Sequence, residues 1–161
     1  MSRSTTARIV LTHPAGWIAS GLGSGFSPWA PGTVGSFAAL LPWWLWLRHL
    51  ETPLYIALVA AAFVVGAWAA QRVIARTGIQ DPSLVVCDEF VGQWLALLWV
   101  PAGWPWLLAG FALFRLFDIW KPWPVGWADR RLHGGLGTML DDVFAGLYAC
   151  LLLQLAALLL H

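Results

Sequence analysis

The sequence predicts an all-α, polytopic membrane bundle of four to five helices, some of them short, forming a single domain over residues 1–161. Three observations carry this expectation. Apolar residues make up 60% of the chain and charged residues 11%, where soluble domains carry roughly 25% charged residues. The apolar residues collect in four or five runs separated by Gly, Pro and charged segments. The basic residues are also asymmetric. If the N-terminus is cytoplasmic, every Lys and Arg except Arg48 falls on the cytoplasmic side, the bias expected of a membrane protein.

The N-terminal segment has Arg3 and Arg8, but His13, Pro14 and Gly16 cut the apolar run behind them. It does not read as a signal peptide, and is expected to lie at the membrane surface and be retained. Val34 to Leu47 forms the first apolar run, interrupted by Pro42. Pro53 to Ala70 is the second, uncharged and ~18 residues long, near the lower limit for a span. A third runs from Ser83 to Val100. "PAGWP" (101–105) then makes a turn whose prolines stop one helix and start the next. Trp106 to Trp120 is the fourth run, and Val143 to Leu160 the last. The third and fourth reach about 25 Å only if Asp88, Glu89, Arg115 and Asp118 belong to the helices. The charges must then face protein or water at one end of the membrane.

Thirteen Trp suit the membrane–water boundary. A net charge of +1 gives no reason to expect a nucleic-acid partner. Cys87 and Cys150 are read as free thiols, and oligomeric state is not legible. The acids follow the same asymmetry as the bases: all except Glu51 gather at the inner face.

Four segments carry chemistry. In "DPSLVVCDEF" (81–90), Asp81 is expected to cap a helix that has Pro82 in its first turn. Asp88 and Glu89 then lie about two turns in, where an ionised carboxylate costs about 2.5–3.5 kcal/mol. A divalent cation is the natural compensation, and Gly92, one turn beyond Asp88, admits a neighbouring backbone. In "GGLGTMLDDVFAG" (134–146), the glycines can wrap an anion. Thr138 is expected as N-cap, with Asp141 completing a capping box. Asp142 has Gly146 one turn behind it, as Asp88 has Gly92.

In "FRLFDIWKPWP" (114–124), Arg115 and Asp118 share a helical face. Lys121 follows one turn on, and Pro122 ends the helix. This grouping of charge and aromatic rings suits a phosphorylated lipid headgroup. In "GSGFSPWAPGTVGS" (23–36), Thr33 or Ser36 is expected to cap the first apolar helix. That leaves N–H groups of the Thr33–Gly35–Ser36 stretch for a phosphate. Cys87 lacks the C-x5-R loop of cysteine phosphatases, since position 93 is Gln. The four His share no metal spacing, and only His133, beside the glycine-rich segment, is of interest.

Taken together and in this order, the four segments resemble the phosphatidylglycerophosphatase A family, over nearly the whole stretch from Gly21 to Gly146. The resemblance implies a magnesium-dependent enzyme of the bacterial inner membrane that removes the terminal phosphate of phosphatidylglycerophosphate to give phosphatidylglycerol. The residues fit that chemistry. Asp88, Glu89, Asp141 and Asp142 are expected to hold one or two Mg2+ ions. Arg115 and Lys121 would bind phosphoryl oxygens, and Thr33, Gly35 and Ser36 the phosphate or the glycerol diester. Asp118 completes the catalytic set as metal ligand, base or partner of Arg115. Water and a phospho-aspartyl route both stay open as ways to attack phosphorus. The signatures of haloacid-type phosphatases, of histidine-dependent lipid phosphatases and of CDP-alcohol transferases are all missing. The rival readings are a divalent-cation transporter or channel and a non-catalytic lipid-binding scaffold.

Overall fold

The computed structural model describes residues 6–7, 10–80 and 82–160, and every regular element among them is helical. Arg3, Arg8, Asp81 and His161 lie outside the described residues, and with them the basic N-terminus and the expected Asp81 cap. Helix α1 (Pro14–Ala19) starts where Pro14 fixes the first turn and His13 Nδ1 accepts the Ala15 N–H at 3.1 Å. A 3₁₀ turn, Ser24–Phe26, leads to α2 (Pro31–Leu45). After a second 3₁₀ turn (Leu47–His49), α3 runs over Thr52–Thr77. It starts with Pro53 in its first turn and stops at Gly78, whose φ of 69° is readily adopted only by glycine. Then follow α4 (Cys87–Ala96), α5 (Trp104–Trp120), α6 (Val125–Arg131) and α7 (Gly134–Leu160).

Helix α7 is the hub, packing most extensively on α4 and also on α3, α5 and α6. The α4–α7 crossing is made by glycines. A Cβ on Gly146 would lie 2.4 Å from the Gly92 carbonyl oxygen, and one on Gly92 would lie 2.7 Å from the Asp142 carbonyl oxygen. The two acid-and-glycine pairs noted in the sequence thus face each other. Across the bundle, Tyr55 donates its hydroxyl to Trp94 O (2.6 Å), and Trp94 Nε1 donates to Ala39 O (2.9 Å). These bonds join α3, α4 and α2 through buried groups. Cys87 and Cys150 are free and buried.

The two helix starts that carry the paired acids differ from expectation. Helix α4 begins at Cys87, so Asp88 and Glu89 occupy its first turn, not a position two turns in. The residues before it are held by other partners: Val86 N donates to Ala19 O at 2.8 Å, and Gly35 and Gly25 press on Val86 and Leu84. The acids gain by this, because negative charge is favoured at a helix N-terminus.

Helix α7 begins at Gly134, so Thr138 is not its cap but a second-turn residue donating to Gly134 O (3.1 Å). The glycine-rich segment is a helical seat, not an anion-wrapping loop. A Cβ on Gly135 would lie 2.0 Å from Ala67 O of α3. The cap comes from α3, where Gln71 Oε1 accepts the Gly135 N–H at 2.8 Å. Gln71→Ala is therefore expected to cost about 1 kcal/mol, measurable by thermal unfolding in detergent.

Among the described residues two helices are long and apolar enough to cross a bilayer, α3 (26 residues) and α7 (27 residues). Helix α4, at 10 residues, extends about 15 Å and cannot cross alone. Large apolar side chains stay exposed along the outside of both long helices, among them Val64, Val65, Leu151, Leu155 and Leu158. Exposed Trp residues gather at both ends of the bundle: Trp29, Trp120, Trp123 and Trp127 at one, Trp46, Trp99 and Trp104 at the other.

Candidate active site

At the end of the bundle where α4 and α7 begin and α5 stops, a cavity of about 330 Å³ opens. Asp88 and Glu89 reach it from α4, Asp118 and Lys121 from the end of α5, and Asp129 from α6. Thr138, Asp141 and Asp142 reach it from α7, His133 from just before it, and Pro31 and Gly32 from the start of α2. A larger cavity of about 430 Å³ lies at the opposite end, lined by Trp43, Arg48, His49, Tyr55 and Trp99 among others, with no carboxylate. Size does not decide between them: among the described residues the smaller one gathers the carboxylates together with Lys121 and His133, the groups able to bind and activate a phosphate ester.

The acids fall into two groups. Glu89 is paired: Arg115 Nη1 donates to its Oε1 at 2.7 Å and Oε2 at 2.5 Å, and reaches Asp118 Oδ2 at 2.8 Å. Ser36 Oγ lies 2.6 Å from Glu89 Oε2 and 2.9 Å from Gly32 O. Asp129 and Asp141 are paired too, through Lys121, whose Nζ is 3.2 Å from Asp141 Oδ2. Burial opposes the Lys121 charge, but its hydrogen bond to Asp129 and the charge of Asp141 outweigh this, and its pKa is raised above the usual lysine value. Asp88 and Asp142 differ. Asp88 Oδ1 takes the Glu89 N–H at 2.9 Å, Asp142 is 3% exposed, and among the described residues neither is ion-paired. One further acceptor, Asp141 Oδ1, is buried without a partner.

The sequence-predicted residues therefore meet in part. Asp88, Glu89, Asp118, Lys121, Asp141 and Asp142 line one cavity, although they come from three separate segments. The Thr33–Ser36 expectation is corrected. Helix α2 starts at Pro31 behind Ala30, without a side-chain cap, so neither Thr33 nor Ser36 is its cap. Ser36 is fully buried and its hydroxyl is taken up inside the protein, while Gly35 is buried against Val86. Neither they nor Thr33 line the cavity, whereas Pro31 and Gly32 do. Arg115 likewise lies behind the wall, its Nη1 spent on Glu89 and Asp118.

Among the wall residues not singled out from sequence, Gly32 and Asp129 bear most on the site. Gly32 sat within a quoted segment, and its role shows only because a Cβ there would lie 2.1 Å from Glu89 Oε1. Asp129 carried no local signal beyond being one of the acids at the inner face.

Whether the site suits a cation follows from its donors. The carboxylates Asp88, Glu89, Asp118, Asp129, Asp141 and Asp142 face only Arg115 and Lys121 as paired cations among the described residues. Asp141 Oδ1 is orphaned as well. Surplus negative charge on hard oxygen donors fits a divalent ion. No three of the described His, Cys, Asp or Glu side chains converge tightly enough to ligate one ion directly, so the four-carboxylate cage expected from sequence is not formed by the protein groups alone. Mg2+ does not require such a cage, since it keeps several waters and takes one or two carboxylates together with substrate phosphate.

Comparison with known proteins identifies the family. The model of the family described as phosphatidylglycerophosphatase A matches residues 17–157, a stretch that contains the whole cavity wall. A phosphatidylglycerophosphatase A of Escherichia coli (strain K12) is 41% identical over 141 residues, which are 87% of this chain and 81% of that protein. One from Haemophilus influenzae is 41% identical over 143 residues, 88% of each chain. A Bacteroides thetaiotaomicron protein, provisionally named a phosphatidylinositol-3-phosphatase, is 45% identical over 147 residues, 86% of this chain and 91% of its own. No solved structure matches significantly. On the family match and on these identities over most of the chain, the protein belongs to the phosphatidylglycerophosphatase A family.

Proposed function

We propose that the protein is a Mg2+-dependent phosphoric monoester hydrolase that converts phosphatidylglycerophosphate into phosphatidylglycerol and inorganic phosphate. The observation that carries this is the cavity itself: acids without an ion pair among the described residues, a lysine and the open N-terminus of α2 share one wall system in a chain of this family. Hydrolysing a phosphate monoester demands positioning and charge neutralisation above all. Asp88 and Asp142 would hold the metal, with the free Oδ1 of Asp141 reaching it through one of the waters that Mg2+ keeps. When bound, Mg2+ supplies positive charge and Lewis acidity at the phosphoryl group. The Gly32 amide in the first turn of α2 donates to a phosphate oxygen, the arrangement that makes a helix N-terminus an anion site. Lys121, kept protonated, holds Asp141 in place and adds positive charge beside the phosphate. Asp118, paired with Arg115, maintains that guanidinium and is not free to act as a base while the pair persists.

The setting is the bacterial inner membrane. Helices α3 and α7 cross the bilayer, and the shorter α2 and α5, 15 and 17 residues long, complete a multi-pass bundle. The Trp at its two ends sit in the two interfaces. The cavity faces the cytoplasm on this reading: the Gln71–Gly135 bond sets the end of α3 that carries Arg72 and Arg76 at the same end of the bundle as the start of α7, Arg130 and Arg131 directly precede α7, and Arg48 lies at the other end. A transporter is disfavoured by the Gly92–Gly146 crossing, which closes the bundle backbone against backbone one turn behind Asp88 and Asp142. The name of the Bacteroides relative favours a second headgroup, a phosphoinositide, for the same chemistry.

Purified protein in detergent with Mg2+ is expected to release phosphate from phosphatidylglycerophosphate faster than from phosphatidylinositol 3-phosphate. EDTA should stop the release and excess Mg2+ restore it. Full activity in EDTA removes the metal, and cation flux into liposomes without hydrolysis removes the enzyme.

A further inference from the structure

We propose that Glu89 is a positioning residue and not a metal ligand: its carboxylate clamps Arg115 and the first turn of α2, fixing the helix N-terminus that receives the substrate phosphate. The inference rests on reading the cavity as a magnesium-dependent phosphatase site, and goes beyond it by dividing two adjacent acids between two tasks.

Neighbouring residues on a helix point about 100° apart, so Asp88 and Glu89 serve different surroundings. Glu89 is 7% exposed and turns toward α2 and α5. Its Oε1 accepts from Arg115 Nη1 (2.7 Å), and its Oε2 from Arg115 Nη1 (2.5 Å) and Ser36 Oγ (2.6 Å). A metal at Glu89 would have to displace charge-assisted bonds already made, which are roughly twice as strong as neutral ones.

The clamp reaches the phosphate site through Gly32 and Ser36, one turn apart on the same face of α2. A Cβ on Gly32 would meet Glu89 Oε1 at 2.1 Å and Arg115 Nη1 at 3.3 Å. The first turn of α2 thus rests directly on the ion pair, with no side chain between. That turn is also the part of α2 that opens on the cavity. Ala30 supplies no side-chain cap, Pro31 has no N–H, and Val34 N is the first amide to find a helical partner, Ala30 O at 3.1 Å. Among the described residues the Gly32 amide, on the cavity wall, therefore remains for a ligand. A carboxylate that sets the height of this turn sets where the phosphate rests relative to Asp88 and Asp142.

The test compares Glu89→Gln, Glu89→Asp, Gly32→Ala and the Glu89→Asp/Gly32→Ala double variant with Asp88→Asn, each as full-length protein in detergent. The first readout is the rise in Tm on adding Mg2+, which reports metal binding without turnover. The second is KM for phosphatidylglycerophosphate. Glu89→Gln is expected to keep the wild-type Mg2+ shift while its KM rises about 10-fold, and Asp88→Asn to lose the shift. Gly32→Ala should be damaging alone but add little to Glu89→Asp, because the shortened carboxylate vacates the space the methyl needs, so the pair is non-additive.

Loss of the Mg2+ shift in Glu89→Gln, as in Asp88→Asn, overturns the proposal, and so does additivity of Gly32→Ala with Glu89→Asp. If Glu89→Gln does not fold, the double-variant comparison decides. A wild type that gains Mg2+ stability but turns over no lipid defeats the phosphatase reading instead, and the comparison of Mg2+ shifts still separates ligand from clamp.

Discussion

Asp142→Asn is expected to lower kcat by about 10³-fold and leave the protein folded. Asp142 is almost wholly buried, carries no ion pair among the described residues, and shares the cavity wall with Asp88, Glu89, Asp118 and Asp141. Its charge therefore does nothing for the fold that a neutral amide of the same shape would undo. Removing one of several crowded like charges is, if anything, favourable to the metal-free protein, since buried charge is costly when uncompensated. On the proposed function, the same step removes a carboxylate that would hold the cation and so the charge that would neutralise the phosphoryl group. Two measurements check this. Thermal unfolding without Mg2+ should match or exceed the wild type, and phosphate release should fall at saturating lipid and saturating Mg2+. A folded Asp142→Asn protein with undiminished turnover takes Asp142 out of the chemistry.

Gly146→Leu should have the largest effect on stability, about 3 kcal/mol or more, and yield little folded protein. The reason is what a side chain there would strike. The Gly92 carbonyl oxygen would lie 2.4 Å from the new Cβ, with the Gly92 carbonyl carbon and Cα at 3.1 Å. These are backbone atoms that cannot rotate away, so the helices must separate. Small residues at such crossings allow the close packing that drives helix association where the hydrophobic effect is weak. Separation of α4 from α7 would also part Asp88 from Asp142, which sit one turn before the two glycines. Activity should therefore fall with stability, and Gly146→Ala should give a milder loss of both. Expression yield, monodispersity in detergent and thermal unfolding measure the first effect, and phosphate release the second. A Leu variant of wild-type stability would show that the crossing can open without cost.

Much of the site was legible because its signals are local. The i, i+4 spacing of Asp88 with Gly92 and of Asp142 with Gly146 states that each helix has an acid above a close backbone contact, and the structure sets the two contacts against each other. Arg115 and Asp118, three apart, do pair, at 2.8 Å. Helix starts were read less well, because their caps come from elsewhere in the chain. Gln71 caps α7 from 64 residues away, and the chain before α4 is held by Ala19 and by the glycines of other segments. Local cap residues such as Thr138 were then outcompeted, since a buried start held by tertiary contacts needs no cap of its own.

What the sequence determined by itself is the helical, apolar character of the chain, the gathering of charge at one end, and the family whose segments it carries. Each of these is written in composition or in short-range periodicity. Only the tertiary structure decided which acid keeps which company: Ser36 and Arg115 with Glu89, Lys121 with Asp129 and Asp141, and no ion pair with Asp88 or Asp142 among the described residues. Ser36 and Glu89 are 53 residues apart in the chain. Their meeting depends on which faces of α2, α4 and α5 turn inward once glycines let the helices close, and no local pattern encodes that choice.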